Sequence, residues 1–141
     1  MPVTFSKQNK KFLLPAAHRL SEWLEVIAFS ESRQIEQLEY LFCDDPYLLS
    51  VNQEFLHHDT YTDILTFDYS AGNRISGDIL ISTDRVRENA RMYRVSFRQE
   101  LLRVMAHGLL HCCGYKDKRK ADQALMRNKE DECLLLWEDM N

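Results

Sequence analysis

Glycine and proline are scarce in this chain, at 4 and 3 of 141 residues. That scarcity excludes a long flexible linker, a low-complexity tract or a collagen-like repeat. No apolar run approaches the ~18 residues that a transmembrane helix needs. Met1-Pro2-Val3-Thr4-Phe5-Ser6-Lys7 also lacks the apolar stretch of a secretory leader. The reading is therefore a cytoplasmic protein with no membrane partner. Cysteine is present four times, at Cys43, Cys112, Cys113 and Cys133, but never as C-x-x-C. A zinc ribbon and a thioredoxin-type redox site have no support, and buried or inert thiols are expected. Nor is there a basic excess. The formal net charge of −4 argues against a protein that coats nucleic acid over its whole surface, though a cleft can still focus a local potential.

What is present is enough apolar material, 45% of residues, to build one core. A chain of about 150 residues buries roughly 68–70% of its unfolded surface, so residues 1–141 are read as a single domain. Leu20, Trp23, Leu24 and Ile27 fall at i, i+3, i+4, i+7 and predict a helix from Pro15 to about Phe29. Gln37 to Cys43 reads as a strand, and Asp44-Asp45-Pro46 opens a helix whose stripe is Tyr47, Leu48, Val51 and Phe55. Thr62–Tyr69 and Gly77–Ser82 read as strands, the second central. A helix follows over about Asp84–Tyr93. Ser96-Phe97-Arg98-Gln99 has the form of a capping box and should start a long helix that Gly114 stops. A last helix covers about Lys120–Trp137. The irregular alternation predicts an α+β fold, a small mixed sheet packed with helices.

The chemistry concentrates in His107-Gly108-Leu109-Leu110-His111-Cys112-Cys113-Gly114-Tyr115-Lys116-Asp117. Two histidines four apart share a helix face, with Cβ atoms about 5–6 Å apart. The glycine turn can return the chain so that Asp117 completes a third ligand, with His57 and His58 as competing donors. Three protein ligands leave a position for water, as catalytic zinc sites do. His107, His111 and Asp117 are thus read as both metal-binding and catalytic, with one Zn²⁺ per chain that could lower its water's pKa towards ~7. The spacing also resembles the metzincin ligand run, but those proteases need Glu directly after the first His. Here that position is Gly108, which disfavours peptide hydrolysis.

The same stretch resembles the hallmark H-G-x-L-H-L-x-G-Y-D-H of the YbeY-type endoribonucleases, through His107, Gly108, Leu110, His111, Gly114 and Tyr115. Asn52, Phe55, Asp59 and Thr62-Asp63-Ile64-Leu65-Thr66-Phe67 resemble a second family segment. Gly77–Ser82, Glu100, Met126 and Glu130 resemble further family positions in the right order. The resemblance implies a single-strand-specific, zinc-dependent endoribonuclease of ribosomal RNA processing (16S rRNA 3′ end maturation) and ribosome quality control. Its implied partners are single-stranded RNA and ribosomal particles or ribosomal proteins. Three departures stand out: Asp117 aligns with a family histidine, Leu56 with an arginine, and Tyr61 with a proline.

An acidic chain that engages RNA needs local basic groups. Candidates are Arg87 and Arg91 on one helical stripe, extended by Arg94, and Lys116, Lys118 and Arg119 around Asp117. Glu100 lies two turns before His107 and can orient a ligand or form a structural ion pair. Asp63 and Asp78 are read as hydrogen-bonded structural carboxylates. A metal-dependent hydrolase of another substrate such as peptides, and a ribosome-assembly factor with a structural metal, are the alternative readings.

Overall fold

A computed structural model describes residues 2–58 and 60–140. Asp59, one of the positions that carries the family resemblance, lies outside them. Four strands form one sheet in the order β1-β2-β4-β3, where β1 is Val3–Lys7, β2 Gln34–Cys43, β3 Ile64–Asp68 and β4 Arg74–Ser82. The pairs β1–β2 and β2–β4 are parallel, whereas β3 runs antiparallel to β4. The sheet is therefore mixed, and with five helices the fold is α+β. Strand β4 is internal, which fits its near-continuous apolar run Ile79-Leu80-Ile81.

β1 is the element that the sequence reading leaves unassigned. Only Val3 and Phe5 are apolar in five residues, so the period-2 signal is short. Its structure comes from pairing Val3–Lys7 with Leu38–Phe42 along the free edge of β2. The remaining elements lie close to expectation: α1 Ala17–Ser30, α2 Asp45–Leu56, α3 Thr83–Tyr93, α4 Phe97–Cys112 and α5 Lys120–Asp139. Asp44 caps α2 by accepting from the Tyr47 amide at 2.9 Å, with Pro46 in the first turn. The stripe of α2 differs from expectation. Leu48 and Asn52 are buried, while Tyr47 and Phe55 are exposed. α2 covers only one side of β3 and β4, in a small cluster with Cys43, Leu65 and Leu80, so a narrow face suffices. Asn52 is tolerated there because its amide donates to the Thr60 carbonyl at 2.9 Å.

The main core lies on the other side of the sheet. Tyr40, Phe42, Ile79 and Ile81 meet α1 and α4, and α5 packs on α1 and α4. Two polar tips fix this layer. Trp23 Nε1 donates to the Cys133 carbonyl, and Tyr40 Oη donates to the Met105 carbonyl, both at 2.8 Å. The second contact ties β2 to α4 two residues before His107. Gly108 faces the sheet: a Cβ there would lie 2.9 Å from Ile79 Cδ1 and 3.0 Å from Ile64 Cδ1. The missing side chain lets α4 approach β3 and β4 closely.

All four cysteines are buried and unpaired. Burial pushes the Cys43, Cys112 and Cys133 thiols up to about 12 and Cys113 to about 11, which leaves them protonated and unreactive at neutral pH. No helix of the described residues is long and apolar enough to cross a membrane.

Candidate metal centre and its cleft

Ser96 starts α4 by accepting from the Gln99 amide at 3.0 Å. Its other end is a Schellman closure. The Tyr115 amide donates to Leu110 O at 3.1 Å and the Gly114 amide to His111 O at 3.0 Å, with Gly114 at φ +103°. This turn reverses the chain over the last turn of α4. The Tyr115 carbonyl then stands 2.9 Å from His111 Nδ1, and Asp117 faces both histidines.

His107 Nε2 and His111 Nε2 each lie 3.2 Å from the same Asp117 oxygen, Oδ2. The three donor atoms fall within 4.8 Å of one another. On the far side of the rings, His107 Nδ1 lies 2.7 Å from Glu130 Oε2, while His111 Nδ1 faces the Tyr115 carbonyl. A carbonyl oxygen can only accept, and so can a carboxylate. Both Nδ1 atoms must therefore carry a proton, and a ring in its neutral form turns the lone pair on Nε2 towards Asp117. Two lone pairs and a carboxylate oxygen at 3.2 Å repel unless positive charge sits between them. His107 expresses that demand in protons. Burial alone would lower its pKa, but the Glu130 hydrogen bond and the charges of Glu130, Asp117 and Asp63 outweigh burial and raise it.

A metal ion meets the same demand, and the donors fit one. Tetrahedral zinc with bonds of about 2.0–2.2 Å separates its ligand atoms by roughly 3.3–3.6 Å, close to the nitrogen–oxygen spacings here. Imidazole with carboxylate is also a donor set that zinc accepts. His57 and His58, the competing donors, are not in this group among the described residues; His57 closes α2 in a left-handed conformation.

The group opens into a cleft of about 830 Å³ between α3, α4, α5 and β3. Asp63, Asp68, Glu100, Asp117 and Glu130 line it, against Arg103, Arg127 and Lys118. Five carboxylates against three cations would repel a phosphodiester, so a divalent ion changes what the cleft can attract. Lys118 stands on its wall, while Lys116 and Arg119 are exposed in the adjoining loop. Arg87 and Arg91 do not line it. α3 contributes Asn89 and Tyr93 instead, and two residues further along a helix is about 200° around it. Arg87 lies over the Phe97 ring, 5.2 Å from its centroid.

Arg103, Arg127 and Glu130 are site residues that the sequence reading does not pick out as such. Glu130 is buried on α5 and takes Arg103 Nη1 at 3.0 Å as well as His107, while Arg103 Nη2 reaches Asp131 at 2.7 Å. Arg103 did carry a signal, because it precedes His107 by four residues and shares its face. Asp63 accepts from Asn89 Nδ2 at 3.3 Å, and Glu100 is buried at the cleft floor. Desolvation raises the pKa of both. Asp78, on the opposite face of the sheet, pairs in register with Glu39.

The endoribonuclease YbeY family model matches residues 4–138. The chain belongs to the endoribonuclease YbeY family. Among relatives, the endoribonuclease YbeY of Flavobacterium johnsoniae is 50% identical over 135 residues, 96% of each chain. That of Flavobacterium psychrophilum is 56% identical over 115 residues, 82% of each chain. That of Christiangramia forsetii is 46% identical over 135 residues, 96% of this chain and 94% of the relative. A solution structure of a protein from Thermotoga maritima superposes with a TM-score of 0.68 at 26% identity, covering 98% of this chain and 91% of that one. The YbeY family match spans every element from β1 to α5, so β1 and the cleft belong to one family fold.

Proposed function

We propose that residues 1–141 form one metal-dependent endoribonuclease domain. It cuts single-stranded RNA with one Zn²⁺ held by His107, His111 and Asp117. The observation that carries this reading is the pair of Nδ1 contacts, to Glu130 and to the Tyr115 carbonyl, which turn both Nε2 lone pairs onto one carboxylate oxygen. A divalent ion bound there would polarise a phosphoryl oxygen and acidify water.

The chain's own residues do the rest. Glu130 and the Tyr115 carbonyl fix ring orientation and tautomer, as the outer partners of metal-ligating histidines do. Lys118 and Arg127 offer positive charge to a phosphate on the cleft wall, and Arg103 anchors Glu130. Peptide hydrolysis by the metzincin route is disfavoured on geometry as well as composition. A side chain at position 108 would run into Ile79 and Ile64, so nothing attached there reaches the cleft. The biological setting we propose is the cytoplasm, in ribosomal RNA processing at the 16S 3′ end and in ribosome quality control, with ribosomal particles or ribosomal proteins as partners. It rests on what the sequence resemblance to the family implies; the family and the relatives' names carry the endoribonuclease activity alone.

The test is cleavage of an unstructured RNA by protein loaded with one equivalent of zinc. The wild type should cut, and His111→Ala should lose both metal and cleavage. Undiminished cutting by the metal-free variant would contradict the proposal.

A further inference from the structure

Glu100 is nine-tenths buried at 5% exposure, yet its carboxyl has no hydrogen bond or ion pair among the described residues. It lines the cleft that holds the three candidate ligands, so its open side is the cleft itself. Its carboxylate oxygens are not sealed off from the cleft, so a donor that enters can reach them without displacing a protein partner. Glu100 precedes His107 by seven residues on α4, about 10 Å at 1.5 Å per residue, which is the reach from a backbone phosphate across its sugar to the far edge of its base. Asp63, fastened to Asn89, lines the same cleft.

Glu100 shares the cleft with the charged groups Asp63, Arg103, Arg127 and Glu130, and the same cleft is lined by apolar Val104 and Leu56 and by Tyr93, a residue 53% exposed. Apolar walls, one aromatic platform and a few converging polar groups are what a small planar ligand needs. Unstacked RNA bases are bound this way, on an aromatic face with their Watson–Crick edge hydrogen-bonded. Leu56 matters here, because an arginine at that point would turn the wall into a phosphate contact.

We infer that this end of the cleft is a nucleobase pocket in which the Glu100 carboxylate selects guanine. A carboxylate offers two adjacent acceptors, and guanine alone presents two adjacent donors, N1–H and N2–H, on that edge. Adenine and cytosine present one amino group beside a ring acceptor. Uracil presents two carbonyls around a single N3–H and is repelled. The inference rests on the RNA-cleaving reading for its biological meaning, but its test does not depend on cleavage.

Binding of guanosine and uridine 5′-monophosphates to the full-length protein, measured by calorimetry, should favour guanosine by about tenfold or more, within what one good base contact supplies. Glu100→Gln keeps the shape, replaces one acceptor with a donor, and should remove that preference. Tyr93→Ala, on the rim, should weaken both nucleotides together by about tenfold, as loss of a stacking face does. Equal binding of the two nucleotides by the wild type, or a preference that survives Glu100→Gln, would overturn the inference. A guanosine preference in a protein that cuts no RNA would keep the pocket and refute the endoribonuclease proposal instead.

Discussion

His107 on α4 and Glu130 on α5 meet with Nδ1 2.7 Å from Oε2, the contact through which the packing of two helices sets the direction of a candidate metal ligand. Glu130 is buried, and Arg103 pays back part of its desolvation by pairing at 3.0 Å. Orientation of the ring is thus built into the α4–α5 interface.

Glu130→Gln keeps the size of the side chain and removes its charge. Zinc affinity should fall by about tenfold, at the lower end of the 10–100-fold that such outer partners are worth. Competition titration with a chromophoric chelator reads this directly, and an unchanged affinity would show that Glu130 does not orient His107.

Burial raises the Glu100 pKa above its ordinary value of 4.5, with the Asp63 charge adding to the effect. The folded chain therefore holds this proton more tightly than the unfolded chain. The associated stability is fully present below about pH 4.5 and is lost as pH rises through the higher, folded-state value. Glu100→Gln should raise the melting temperature by a few degrees at pH 7, and the gain should vanish below pH 4.5. Thermal unfolding across that pH range checks it; a loss of stability at pH 7 would contradict it.

Gly108→Ala gains about 1 kcal/mol of helix propensity but must push Ile79 and Ile64, an overpacking that costs about 1–3 kcal/mol. The net expectation is a loss of about 1 kcal/mol, or roughly 2–4 °C in melting temperature for a chain near this size. A variant more stable than its parent would show that α4 has room to spare.

Tyr40→Phe removes the hydroxyl that donates to the Met105 carbonyl and should cost about 1 kcal/mol in chemical denaturation, without changing metal content. A neutral result would mean that packing alone holds β2 against α4.

Local patterns made much of this molecule legible. The i, i+4 histidines, the Ser96 cap and the Gly114 stop each report on neighbours within one or two turns, and the Schellman closure follows from them. Asp117 was reachable because only six residues separate it from His111. Glu130 lies 23 residues from His107 on another helix, and no spacing in the chain encodes that meeting. Its place beside the ring depends on how α5 settles against α4. β1 was hidden for a related reason, since five residues with two apolar side chains become a strand only when β2 offers its edge. The arginine stripe on α3 shows the opposite failure. Its periodicity is genuine, but period alone does not tell which face turns to the cleft, and Asn89 and Tyr93 occupy that face.

Zinc stoichiometry and affinity of the protein, measured by elemental analysis and calorimetry beside Asp117→Ala and His107→Ala, test the centre most directly. One ion per chain in the wild type, with each substitution abolishing or severely weakening its binding, is the predicted result. Full occupancy at unchanged affinity in Asp117→Ala would contradict the account, because the carboxylate oxygen that both imidazoles face would then have no part in holding the ion.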